Sequence, residues 1–241
     1  MGGISTLKEL VKEMPYEDFI YYGDSLNAPY GEKKEEEVLR LTENVIQTLL
    51  KQNVKAIVIA CNTATSVSIE YIREKYKDIH IIGTEPAIKQ AIKEGQNRTL
   101  VMATPITLKL KKYLLLKKQF NHIFIDLPCP GLAKRIEEDN LEKEDLQTMI
   151  NNLLHPYKEK IDNIVLGCTH YPFISRQIHK AIGNLPLIDG NKGIAIHTKE
   201  LLLNDNILNN QNHQGIITFQ SSKNNKEEIK LYNNFFKKHI S

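Results

Sequence analysis

The chain has 241 residues, 41% hydrophobic and 25% charged, an ordinary globular composition with length enough for two modest domains or one large one. Its 32 Lys and Arg against 29 Asp and Glu leave a formal net charge of +3, too weak and too dispersed for a nucleic-acid-binding surface. No apolar run reaches the roughly 20 residues that span a bilayer, no basic-then-apolar leader is present, and three cysteines do not make a disulfide framework, so a cytoplasmic protein with free thiols and no membrane partner is expected.

Short apolar runs alternate with longer helical patterns. A strand is expected at 19–22, followed by a helix at 34–52 whose Val38, Leu41, Val45 and Leu49 share one face. Strands follow at 56–60, 80–82 and 99–103, then a helix at 106–120, a strand at 122–125, a helix at 141–157, and strands at 163–166, 185–188 and 216–219. This alternation predicts an α/β fold with mostly parallel sheets, in which ligands bind beyond the C-terminal ends of the strands.

The sequence also repeats itself. Ile57-Val58-Ile59-Ala60-Cys61-Asn62-Thr63 and Ile164-Val165-Leu166-Gly167-Cys168-Thr169-His170 each read as a buried strand, a small residue and a cysteine opening a polar loop. Upstream, the strand at 19–22 leads to Asp24 and Asn27-Ala28-Pro29-Tyr30-Gly31, and the strand at 122–125 leads to Asp126 and Leu127-Pro128-Cys129-Pro130-Gly131. From Asp24 to Cys61 is 37 positions and from Asp126 to Cys168 is 42, which predicts two related lobes. The strand at 99–103 ends 23 positions before Asp126, whereas 23 back from Asp24 is residue 1. Either the first lobe lacks a matching leading strand, or that strand lies upstream of Met1.

Two thiols facing one pocket suit the removal of a proton from one face of a carbon and its return to the other. A helix N-terminus or a cationic histidine lowers a thiol from about 8.5 toward neutrality; either lobe can supply the first, and His170, two positions after Cys168, can supply the second or act as the acid–base group that prepares the thiol. Cys61 has no such neighbour but is followed by Asn62, Thr63 and Thr65, suited to holding carboxylate or ammonium groups. Taken singly, these residues have plainer readings: a free cysteine as a small hydrophobe, which is retained for Cys129, Asn27–Gly31 as a turn, Glu137-Glu138 as a solvated helix end, and His197 as surface. Neither Cys61 nor Cys168 has a CxxC neighbour, so zinc binding and dithiol redox chemistry have little support.

With Gly23-Asp24, Pro29-Tyr30-Gly31, Cys61-Asn62-Thr63-Ala64-Thr65 and Gly167-Cys168-Thr169-His170-Tyr171-Pro172 in order, residues 2 to about 219 resemble the glutamate racemases of the aspartate/glutamate racemase superfamily. The resemblance implies two pseudo-symmetric, doubly wound α/β domains, here 1–86 with 196–241 and 87–195, with the active site between them. It further implies cofactor-independent and metal-free two-base racemisation of glutamate for peptidoglycan, in a homodimer. Cys61 would act on the D-enantiomer's α-proton and Cys168 on the L-enantiomer's, with His170 assisting Cys168 and Glu137 nearby. Asn62, Thr63, Thr169, the loop Pro29-Tyr30-Gly31 and the pair Thr104/Thr107 would hold the substrate. An aspartate or broad-specificity racemase and an inactive homologue are the alternatives. The chain enters the family's leading Asp-Ser-Gly-x-Gly-Gly motif only at its glycines, Gly2-Gly3, and Lys134-Arg135 departs from an apolar family pattern. A start at Met1 therefore implies a weakened first sheet and an impaired racemase, and an upstream start implies ordinary activity.

Overall fold

The computed structural model describes residues 1–93, 98–210 and 213–239; of the expected domain spans, 94–97, 211–212 and 240–241 lie outside the described residues. In chain order the elements are α1 (Gly3–Glu13), β1 (Phe19–Gly23), α2 (Glu35–Leu50), β2 (Ala56–Ile59), α3 (Asn62–Lys75), β3 (His80–Gly83), α4 (Ile88–Lys93), β4 (Arg98–Ala103), α5 (Pro105–Lys109) and α6 (Lys111–Lys118). They continue as β5 (Ile123–Pro128), α7 (Leu132–Glu137), α8 (Glu144–Leu154), β6 (Asn163–Leu166), α9 (Ser175–Ile182), β7 (Leu187–Ile188), α10 (Asn191–Asn204), β8 (Ile217–Ser221) and α11 (Lys226–Lys237). Short 3-10 turns occupy Tyr30–Glu32, His155–Tyr157 and Tyr171–Ile174.

Every expected strand is present, the one at 185–188 only as Leu187–Ile188, and three further boundaries are corrected. The helix expected at 106–120 is two helices, because Leu110 is extended (φ −67, ψ 136); the break lets Leu108, Leu110 and Tyr113 all be buried, which outweighs helical continuity. The helix at 141–157 begins only at Glu144, after Asp139 and Asn140 adopt positive φ, and ends in the 3-10 turn that contains Pro156. β5 runs through Asp126, Leu127 and Pro128 before its loop starts at Cys129. Pro128 is tolerated because it closes an edge strand.

All strand pairs are parallel. One sheet has the order β5-β4-β6-β7, with Val101 of β4 level with Asp126 of β5 and Val165 of β6. β1 pairs with β8 and β2 with β3 as separate two-stranded sheets. β6 is buried along its whole length and β4 from Thr99 onward, the pattern of strands covered on both faces. Each fully buried Leu, Ile or Val there contributes roughly 1.5–3 kcal/mol. α2 opens with Glu35, Glu36 and Glu37, whose charges suit a helix N-terminus, and buries Val38, Leu41 and Ile46. Val45 and Leu49 are half-buried and line a cavity.

That cavity, about 910 Å³, positions the site. It is walled by every residue of β1 and β2, and it reaches the loops beyond β2, β4, β5 and β6. α1 ties the parts together: Ile4 is buried among Leu100, Met102, Cys168 and Phe235, while Leu10 and Met14 pack with Ala195 and Leu202 of α10. Phe235 of α11 meets Phe173 edge-on at 4.9 Å. No described helix is long and apolar enough to cross a membrane.

Candidate active site

Cys61 and Cys168 are free thiols that both line this cavity, each at the C-terminal end of a parallel strand. Their motifs touch: Thr169 Oγ1 donates to the carbonyl of Ala60 at 3.2 Å, joining the residue after one cysteine to the residue before the other. Ser5 Oγ donates to the Thr169 carbonyl at 2.8 Å. Gly2 passes so close that a Cβ there would lie 2.6 Å from both Thr169 Oγ1 and His170 Nδ1, which excludes any side chain at that position without rearrangement.

The two thiols have different local structures. Cys61 is the N-cap of α3, with extended backbone (φ −150, ψ 117), and its Sγ accepts the Ala64 N–H at 3.4 Å. A thiolate there would be favoured by the helix end. Cys168 precedes a 3-10 turn, so it lacks an α-helix N-terminus, but its Sγ lies 3.5 Å from His170 Nδ1. On the far side of the ring, His170 Nε2 is 2.8 Å from Glu137 Oε1. The Gly2 N–H also points at Nε2, at 3.1 Å, so that nitrogen either accepts from Gly2 or carries a proton for Glu137.

Electrostatics reverse the expectation that both thiols are drawn toward neutrality. Burial pushes Cys61 up despite the opposing Ala64 and Thr63 N–H groups, and burial pushes Cys168 up to about 12. Burial likewise holds His170 below its ordinary value, against the pull of Glu137, so the ring is neutral at pH 7, which suits the acid–base role expected of it and not the cationic one. Burial alone would raise Glu137, but the hydrogen bond with His170 and the Met1 ammonium, 3.1 Å away, bring its carboxyl down to about 2. Glu137 is therefore an ionised, half-buried partner of His170 and not the solvated helix end of the plain reading.

The other expected site residues separate into two groups. Pro29, Tyr30, Gly31, Asn62, Thr63, Thr104 and Thr169 line the cavity, and Asn62 Oδ1 is buried with no hydrogen-bond partner among the described residues. Thr107 is fully buried and does not line it; Thr63, Thr104 and Thr107 form a hydroxyl triangle with sides of 3.0, 3.3 and 2.9 Å. Thr65 is structural, donating to the Ile59 carbonyl and accepting from the Thr84 N–H, each at 3.0 Å. Cys129 is 2% exposed, as its plain reading required, and also touches the cavity wall. Lys134, read only as a departure from a pattern, lines the cavity one helical turn before Glu137; the three-residue spacing to Glu137 was the available signal.

A family model described as Asp/Glu/Hydantoin racemase matches residues 5–197. A glutamate racemase of Clostridium acetobutylicum is 47% identical over 226 residues, covering 92% of this chain and 88% of that protein. One of Clostridium novyi is 45% identical, covering 95% and 90%. Among solved structures, a glutamate racemase isoform of Bacillus anthracis superposes with a TM-score of 0.88 at 27% identity, covering 100% of this chain and 92% of its own. The Francisella tularensis glutamate racemase in complex with D-glutamate gives a TM-score of 0.85 at 28% identity, covering 100% and 91%. On the match across most of its length, the chain belongs to the Asp/Glu/hydantoin racemase family.

Proposed function

We propose that this protein interconverts L- and D-glutamate by a two-thiol mechanism. The observation that carries the reading is the pair of free cysteines on one cavity, presented by different sheets and linked through the Thr169–Ala60 hydrogen bond. The relatives named glutamate racemase, and the D-glutamate bound in the Francisella structure, supply the substrate.

For L-glutamate, His170 Nδ1 takes the Cys168 proton, and the resulting imidazolium keeps its Nε2–H, which donates a hydrogen bond to ionised Glu137. The Cys168 thiolate removes the α-proton, and the Cys61 thiol delivers its proton to the opposite face. Cys61 is left as a thiolate at the start of α3, held by the Ala64 N–H. His170 then releases a proton to solvent and Cys61 takes one up, which restores the starting state. The α-carbon is a weak acid, so the carbanion-like charge needs fixed donors. Asn62, Thr63, Thr104, Thr169 and the Pro29–Gly31 loop fill that role around the amino and carboxylate groups, and Thr107 orients the other two threonines. Residues 1–86 with 196–241 form one lobe and 87–195 the other; homodimer assembly and a cytoplasmic location belong to the same reading through the family resemblance.

The test is incubation with each enantiomer of glutamate in deuterated water, following exchange at Cα by NMR, alongside initial rates on glutamate and aspartate. Exchange with both enantiomers and preference for glutamate are expected. Folded protein that exchanges neither enantiomer removes the racemase reading, and preference for aspartate removes the substrate assignment.

A further inference from the structure

Asp24 ends up in a different setting from its counterpart in the internal repeat. Asp126 is ion-paired with Lys117 at 2.7 Å, accepts from Tyr113, and lies off the cavity. Asp24 lines the cavity and has no Lys, Arg or His partner among the described residues. Its carboxylate is instead filled by loop donors: Tyr30 Oη at 2.6 Å on Oδ2, and Asn27 Nδ2 at 2.9 and 3.1 Å on the two oxygens. The Asn27 N–H closes the turn onto the Asp24 carbonyl at 3.2 Å.

What this turn carries is the crossing point between the sheets. Tyr30 packs against the apolar cluster of Val38, Ile57, Ile59, Ile69 and Ile81 and lines the cavity that Cys61 also lines. Gly31, next in sequence, sits so tightly on Thr104 that a Cβ would lie 2.8 Å from its Cβ and Cγ2. Thr104 in turn bonds Thr63 at 3.0 Å, two residues after Cys61. A chain of direct contacts therefore runs from Asp24 through Tyr30 and Gly31 to Thr104 and Thr63. Charge is the economical way to fix it, since bonds to an ionised acceptor are about twice as strong as neutral ones.

We propose that Asp24 is a positioning residue: its carboxylate clamps Tyr30 and Asn27 so that Gly31 stays seated on Thr104 and the loop stays closed beside Cys61. The proposal rests on the racemase reading for its kinetic consequences, but not for its structural ones. In Asp24→Ala, kcat/KM for glutamate falls roughly ten- to a hundredfold, the size of effect that small misplacement near reacting groups produces, with most of the loss in KM. Tyr30→Phe gives a similar loss, and the double variant is no worse than either single one, because both remove the same contact. Asp24→Asn, which keeps one acceptor for Tyr30 but loses the charge and the second acceptor for Asn27, recovers only part of the activity. Independently of turnover, trypsin cleaves after Lys33 and Lys34 about tenfold faster in Asp24→Ala than in the wild type, as expected when a loop opens locally, with the melting temperature little changed. Additive losses in the double variant, or equal cleavage rates with and without the carboxylate, overturn the clamp. A wild-type protein that racemises nothing overturns the functional reading instead, and the cleavage rates still decide the clamp.

Discussion

Replacing Glu137 by Gln tests the link between His170 and Cys168 most directly. The variant keeps the shape and an acceptor oxygen 2.8 Å from His170 Nε2, but removes the negative charge that stabilises the imidazolium. A hydrogen bond to a charged group contributes about 1.5–3 kcal/mol and a neutral one about 1, so the imidazolium loses about 0.5–2 kcal/mol. At 1.36 kcal/mol per decade, kcat/KM should fall roughly 2- to 30-fold. Enantiomers have equal energy, so the fall must be the same in both directions and direction of turnover cannot locate the damage. Isotope effects can. If Cys168 serves the L-enantiomer, its barrier becomes the higher one: α-deuterated L-glutamate then shows a larger primary isotope effect on kcat/KM than in the wild type, and α-deuterated D-glutamate a smaller one. The assay is initial-rate measurement with the four isotopologues. Unchanged isotope effects, or growth of the effect on the D-enantiomer, would refute the assignment of Glu137 and His170 to the Cys168 side.

Cys61→Ala and Cys168→Ala should each abolish racemisation, with losses beyond about 10³-fold since each removes one of two obligatory proton carriers; polarimetry checks this, and full turnover by either variant removes the two-base model. The Glu137 carboxyl, brought down from its ordinary 4.5 to about 2, contributes stability that is fully present above about 4.5 and lost as pH falls toward 2. Urea unfolding from pH 6 to pH 2 should reveal at most about 3 kcal/mol of this dependence, and Glu137→Gln should lack it. Gly167→Ala places a Cβ 2.8 Å from the Met102 carbonyl oxygen and 2.9 Å from Ala103 Cβ. Overpacking of this kind costs about 1–3 kcal/mol, so calorimetry should find a melting temperature lower by roughly 3–10 °C, with activity reduced because Cys168 is displaced. Lys134 lines the cavity and has no ion-pair partner among the described residues; Lys134→Ala should raise KM severalfold at low ionic strength and little at high salt, where screening removes the attraction.

Local patterns carried most of the architecture. A run such as Ile164-Val165-Leu166 has one favourable fate, a strand covered on both faces, and it became β6 as expected. The break at Leu110 could not be seen, because apolar residues keep helical spacing across it and only the burial of Leu108 and Tyr113 against Val101 and Phe124 decides the turn. The same holds at the site. Thr65 and Thr107 are polar residues next to functional motifs, and nothing local distinguishes a hydroxyl facing the cavity from one bonded behind its wall.

By itself, the sequence determined the alternating α/β order, the two cysteine loops at strand ends and hence the class of chemistry, since each follows from residues close together in the chain. Tertiary structure alone decided how those cysteines differ. It set Cys61 on the end of α3, brought Glu137 across 33 positions to His170, and buried the pocket deeply enough to keep both thiols protonated and the imidazole neutral. Proton affinities depend on solvent exclusion and on neighbours remote in sequence, and only the folded chain brings these together.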